Sequence, residues 1–61
     1  MSKIANDMVV RARTLLNTGN TQEMAARKLS AEFSAVSYVS KGKLWASYKD
    51  EKGAQKTQVL A

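Results

Sequence analysis

From Ser2 to about Thr18 the apolar side chains Ile4, Ala5, Met8, Val9, Ala12, Leu15 and Leu16 fall in one helical stripe, with Lys3, Asp7, Arg11, Arg13 and Thr14 outside it. The spacing predicts an amphipathic helix, with Ser2 as N-cap and Asn17-Thr18-Gly19 as a C-terminal stop. Val10 falls on its polar side, either as an ordinary exposed residue or as a contact for a partner or second copy. Asn20, followed three residues later by Glu23, reads as a capping box and opens a second helix. Met24, Ala25, Ala26, Leu29 and Phe33 supply its apolar face, while Arg27 and Lys28 stay outside. After Gly42, Leu44-Trp45-Ala46-Ser47-Tyr48 has strand-favouring composition, and Asp50-Glu51-Lys52-Gly53 has the chemistry of a hairpin loop closed by a left-handed glycine. Ala54 to Leu60 supplies the return strand, with Thr57 and Val59 on one face and Leu60 on the other.

Between these parts, no glycine or proline interrupts residues 21 to 40, and two architectures fit. Both are α+β, in one small domain spanning residues 1–61. In the first, a turn and a further helix follow the second helix, so that the N-terminal helices form a helix-turn-helix ahead of a C-terminal β-hairpin. In the second, two helices pack on a three-stranded antiparallel meander. Ala35-Val36-Ser37-Tyr38-Val39-Ser40 is then its first strand, because β-branched and aromatic residues alternate there with small ones and Lys41-Gly42-Lys43 follows. On such a strand Ser37 and Tyr38 face opposite sides, and the larger ring is expected to pack against the helices.

In the first architecture Gln22 opens the unit, Ala26 stands where two helices approach, Leu29 closes the first helix, and Ser34-Ala35-Val36-Ser37 begins the next with Val36 and Val39 buried. A small alanine permits the tight crossing, and the leucine and valines pin the second helix so that its outer face enters the major groove. This spacing from Gln22 to Lys41 resembles the helix-turn-helix of Cro-type phage repressors. The resemblance implies double-stranded DNA binding and transcription regulation. It sets Phe33, Ser34, Ser37, Tyr38 and Lys41 on or beside the DNA-facing side, Gln22 near a phosphate, and Lys41 and Lys43 on the backbone. It also implies a homodimer, with the hairpin from Lys43 to Leu60 carrying Trp45, Tyr48 or Val59 to the subunit interface, where Val10 is a further candidate.

Composition narrows the chemistry. The chain has 61 residues and neither cysteine nor histidine, so disulfides, thiolate or imidazole metal ligands and the usual nucleophile and base pairs are absent. Asp50 and Glu51 are adjacent in a turn and do not form an acid and base pair facing across a cleft. We therefore expect no enzyme activity, no cofactor and no metal. Ten Lys and Arg against five acids give a formal charge of +5, which favours an anionic partner. That partner is duplex DNA under the first architecture. An alternative is an acidic protein surface, met by the sheet face of a small phage-type inhibitor or adaptor. Stacking of single-stranded nucleic acid on Trp45 and Tyr48 is a third use of the same charge. No apolar run exceeds Met8-Val9-Val10, so no membrane association is expected, and the chain reads as cytoplasmic.

Overall fold

The computed structural model describes residues 3–61, so the expected N-cap Ser2 lies outside the described residues. The first helix, α1, runs Lys3–Asn17 and buries Ala5, Met8, Ala12 and Leu15, with Ile4, Val9 and Leu16 packed at the margin of the core. Val10 is 63% exposed on the far side. The helix stops where expected: Gly19 takes a φ of +92°, and the Asn20 amide reaches back 3.2 Å to the Leu15 carbonyl, the long bond that closes a helix around a left-handed glycine.

Asn20 belongs to this stop and not to the next start, which corrects the expected capping box. Its side-chain Nδ2 also donates to the Leu15 carbonyl at 2.9 Å, and its Oδ1 accepts from Lys28 Nζ at 2.7 Å. With Asn20 committed, the cap moves on by one residue: Thr21 Oγ1 accepts from the Met24 amide at the head of α2, Gln22–Phe33. Ala25, Ala26 and Leu29 of α2 are buried, whereas Met24 is 45% exposed. Arg11 clasps the two helices by a two-pronged bond to Glu32, Nε to Oε1 at 2.9 Å and Nη2 to Oε2 at 3.1 Å. That bond from Arg11 holds the Glu32 carboxyl below its ordinary pKa and raises the already high value of Arg11.

The chain then decides between the two architectures. Ser34 adopts the left-handed conformation, φ 51° and ψ 37°, and so ends α2. Val36–Ser40 follows as strand β1. The recognition helix expected from Ser34 to Lys41 is therefore replaced by a strand, as in the second α+β arrangement, two helices on a three-stranded antiparallel sheet. The physical reasons are local. Val36, Tyr38 and Val39 favour extended backbone, and Lys41 and Gly42 both take positive φ, 54° and 74°, forming a two-residue turn of the type that matches strand twist.

That turn joins Ser40 to Lys43 and starts β2, Lys43–Lys49, the central strand. β3, Gln55–Val59, returns after a loop organised by Asp50. Asp50 Oδ1 accepts from the Lys52 and Ala54 amides, each at 2.9 Å, and Gly53 closes the loop with the expected positive φ of 81°. Glu51 caps α1 from this loop, its Oε1 accepting from the Lys3 amide at 2.7 Å.

One core holds these parts together. Leu44, Ala46 and Tyr48 of β2, with Leu60 beyond β3, meet the buried residues of both helices. Met8, Leu29 and Leu44 are its largest fully buried side chains, each contributing about 1.5–3 kcal/mol of hydrophobic stabilisation. The alanines allow the layers to approach closely. At the contact of α2 with β1, Ser30 Oγ donates to the Ala26 carbonyl and accepts the Ser37 amide, both at 2.9 Å. No helix among the described residues is long and apolar enough to cross a membrane.

Candidate functional site

Successive residues of a strand point to opposite faces, so β2 defines the two sides of the sheet. Leu44, Ala46 and Tyr48 point to the helices, and Lys43, Trp45, Ser47 and Lys49 point away. The register carries this division outward. Tyr38, Trp45 and Val59 are directly paired across the three strands, and Val36, Ser47 and Thr57 form the adjacent row. Lys43 pairs with Ser40 at one end of the face, and Lys49 pairs with Gln55 at the other.

This face is open and apolar at its centre. Val36 is 65% exposed, and Tyr38 and Val59 are each 38% exposed. The Trp45 indole is half-buried and anchored: its Nε1 donates to the Ser40 carbonyl at 3.0 Å, a diagonal reach across the strand pair. The backbone beneath the ring is held too, since Ser37 Oγ donates to the Trp45 carbonyl at 2.8 Å. Beside the aromatic row, Gln55 Nε2 donates to Ser47 Oγ at 2.7 Å. Lys43 and Lys49 are exposed, and no carboxylate stands in these rows. The acids lie elsewhere: Asp7 on α1, Glu23 and Glu32 on α2, and Asp50 and Glu51 in the loop after β2. At one end of the face the positive charge is partly offset, since Lys49 lines a pocket together with Lys3, Asp7, Asp50 and Glu51.

The expected site residues divide between four places. Tyr38 and Lys43, assigned to DNA, and Trp45 and Val59, assigned to a subunit interface, come together on this one face. Lys41 sits at the tip of the first turn. The others serve the fold. Gln22 Nε2 donates to the Gly42 carbonyl at 2.9 Å and ties the start of α2 to that turn. Phe33 is half-buried against the core, Ser34 is the left-handed cap, and Ser37 faces α2. Tyr48 is buried at 4% exposure, its hydroxyl 2.7 Å from Gln58 Oε1, which removes it from any interface or stacking role. Val10 lies on α1, apart from the sheet.

Comparison with protein families, curated proteins and solved structures finds no match to this chain.

Val36, Ser47, Lys49 and Thr57 complete the face and are not among the site residues expected from the sequence; Val36, expected to be buried on a recognition helix, is 65% exposed because that segment is a strand. The signal for Ser47 and Lys49 was the clean alternation of β2, in which every second residue from Lys43 is polar or amphipathic. The signal for Val36 was the two-residue turn, which fixes Val36 opposite Ser47 once β2 is phased.

Proposed function

We propose that this protein binds single-stranded nucleic acid on the open face of its sheet. The observation that carries the reading is the direct pairing of Tyr38 with Trp45 on a solvent-facing surface that has a lysine at each end and no carboxylate within its paired rows. Aromatic rings on a sheet offer flat stacking partners to unpaired bases, and lysines beside them meet the phosphates. The Ser40 carbonyl holds the indole in place before any ligand arrives, which reduces the ordering cost of binding. Duplex reading through a helix-turn-helix would need a helix where Val36–Ser40 runs as a strand.

Trp45 is the only tryptophan, so its fluorescence reports on this face alone. Titration with oligothymidine or oligouridine at low salt is expected to quench it. The logarithm of affinity should fall with the logarithm of salt concentration by about 0.7 for each phosphate contacted. Trp45→Ala and Tyr38→Ala should each weaken binding by about 1–3 kcal/mol. Absence of binding at low salt, or tighter binding of a duplex than of either single strand, would overturn the proposal.

A second reading draws on Val36 and Val59, which offer no ring for a base. They suit an acidic protein surface that brings its own apolar centre. Under that reading Val36→Ser weakens partner binding and leaves oligonucleotide binding unchanged.

A further inference from the structure

The two outer strands of the sheet end differently. In β1 the backbone groups of Val36, Tyr38 and Ser40 pair inward with β2, since Ser40 and Lys43 close a two-residue turn, and those of Ser37 and Val39 point to the edge. At Ser37 that edge is met by α2, whose Ser30 hydroxyl takes the Ser37 amide at 2.9 Å. In β3 the bonds run through the even positions. Asp50 pairs with Ala54, Tyr48 with Lys56, Ala46 with Gln58, and Leu44 with Leu60. The N–H and C=O groups of Gln55, Thr57 and Val59 therefore point away from the sheet. No backbone or side-chain bond takes them among the described residues. Among the described residues no helix adjoins β3, whereas α2 covers both β1 and β2.

We propose that β3 is a self-pairing edge through which two copies of the chain join into one continuous antiparallel sheet. The strand is complementary to itself. A two-fold axis through Thr57 sets Thr57 opposite its counterpart, Gln55 opposite Val59 and Lys56 opposite Gln58. All three outward-facing residues then lie in hydrogen-bonded pairs. Moving the axis to Lys56 or to Gln58 leaves one of those residues without a partner inside the strand. At Lys56 it also sets two ammonium groups directly opposite each other, a destabilising cross-strand pair. Charge and bond count thus select the same register. Protection of this edge is slight: β3 has no proline, and its single charge, Lys56, lies 3.8 Å from Asp50. In the joined sheet both Tyr38–Trp45–Val59 rows face the same side, with Val59 of one copy beside Gln55 of the other. The pairing stands independently of any ligand.

The interface is one short strand pair, so a weak, concentration-dependent dimer is expected. Sedimentation of the full chain without nucleic acid, from micromolar to millimolar concentration, should show the mass rising from one copy toward two. A monomer throughout overturns the proposal. Thr57→Pro removes an outward N–H and is tolerated on an edge strand. It should hold the protein monomeric with an unchanged circular dichroism spectrum, and a folded Thr57→Pro variant that still dimerises would refute the edge.

Cysteine variants read the register and do not depend on that substitution, and the chain has no native cysteine to interfere. Paired Thr57 α-carbons would be about 5.5 Å apart, within disulfide reach. The two Gln55 positions would be separated by about 13 Å along the strands. Thr57→Cys should therefore cross-link under mild oxidation at least tenfold faster than Gln55→Cys. Equal rates, or faster linking at Gln55, would refute the register.

Discussion

The two tyrosines, ten residues apart on adjacent strands, give the clearest test of how the sheet is phased. Tyr48 is 4% exposed in the core shared by the sheet and both helices, and its hydroxyl is bonded to Gln58. Tyr48→Ala removes a buried aromatic ring, a loss of about 3–5 kcal/mol. A chain of 61 residues has a total stability of about 3–9 kcal/mol at the usual yield per residue. Tyr48→Ala is therefore expected to remove from about a third to all of that stability. Tyr48→Phe keeps the ring and loses only the hydroxyl bond, about 1 kcal/mol. Tyr38 is 38% exposed on the opposite face, where its main partner is Trp45 across the strand pair. Tyr38→Ala should cost about 1 kcal/mol or less, the scale of one cross-strand pair. Urea unfolding followed by far-ultraviolet circular dichroism reads all three variants. With a slope near 1 kcal/mol per molar for so small a domain, Tyr38→Ala lowers the midpoint by about 1 M or less. If Tyr38→Ala proved as damaging as Tyr48→Ala, the outer face would be packed in the native state and the division of the sheet into two faces would be wrong.

Three further outcomes follow from single contacts. Ser34→Gly removes the side-chain strain of the left-handed cap and should raise stability by up to about 1 kcal/mol in thermal melts, whereas a glycine at the start of a helix would lower it. Ser30→Ala leaves the Ser37 amide without its acceptor and should cost about 1–3 kcal/mol in urea unfolding, with Ser30→Thr retaining part of the loss. Glu32 is held below its ordinary value near 4.5 by the bond from Arg11, so its contribution is present above that value and is lost as pH falls through the lower native one. The melting difference between wild type and Glu32→Gln should therefore be seen at neutral pH, shrink with added salt, begin to fall as the pH drops past about 4.5 and vanish only below the lower native value.

The helices were legible because their signals are local. The stripe from Ile4 to Leu16, the stop at Gly19 and the loop at Asp50 to Gly53 each rest on residues close in sequence, and each appears in the fold as read. The misassigned cap at Asn20 shows the limit of such signals. Asn20 and Thr21 are both good caps, and the choice was made by Gly19, which turns Asn20 back onto α1. The segment after α2 was ambiguous for a different reason. Val36 and Val39 are three apart, which suits a helix face, yet both are β-branched, which suits a strand. No residue between Thr21 and Ser40 announces a stop, and the stop is made by a serine in a conformation usually reserved for glycine.

The orientation of Tyr38 is the more instructive miss, because the information was present but lay in another strand. Within 35–40 alone, the bulky set of Val36 and Tyr38 looks like the buried one, and the small Ser37 looks exposed. β2 has no such ambiguity: Leu44, Ala46 and Tyr48 alternate with Lys43, Ser47 and Lys49, and only the first set can be buried. A two-residue turn makes Ser40 and Lys43 a pair, so counting back from β2 puts Ser37 opposite Ala46 and Tyr38 opposite Trp45. The inner position at that point lies against α2, where Ala26 and Ser30 leave room for a serine and where the Ser30 hydroxyl needs an amide to bond. A tyrosine there would force the helix off the sheet. The tight contact of α2 with β1 therefore requires the small residue inside, and the aromatic pair is left to the solvent as its consequence. The surface that we propose binds nucleic acid is in this sense produced by the packing of the other side of the sheet.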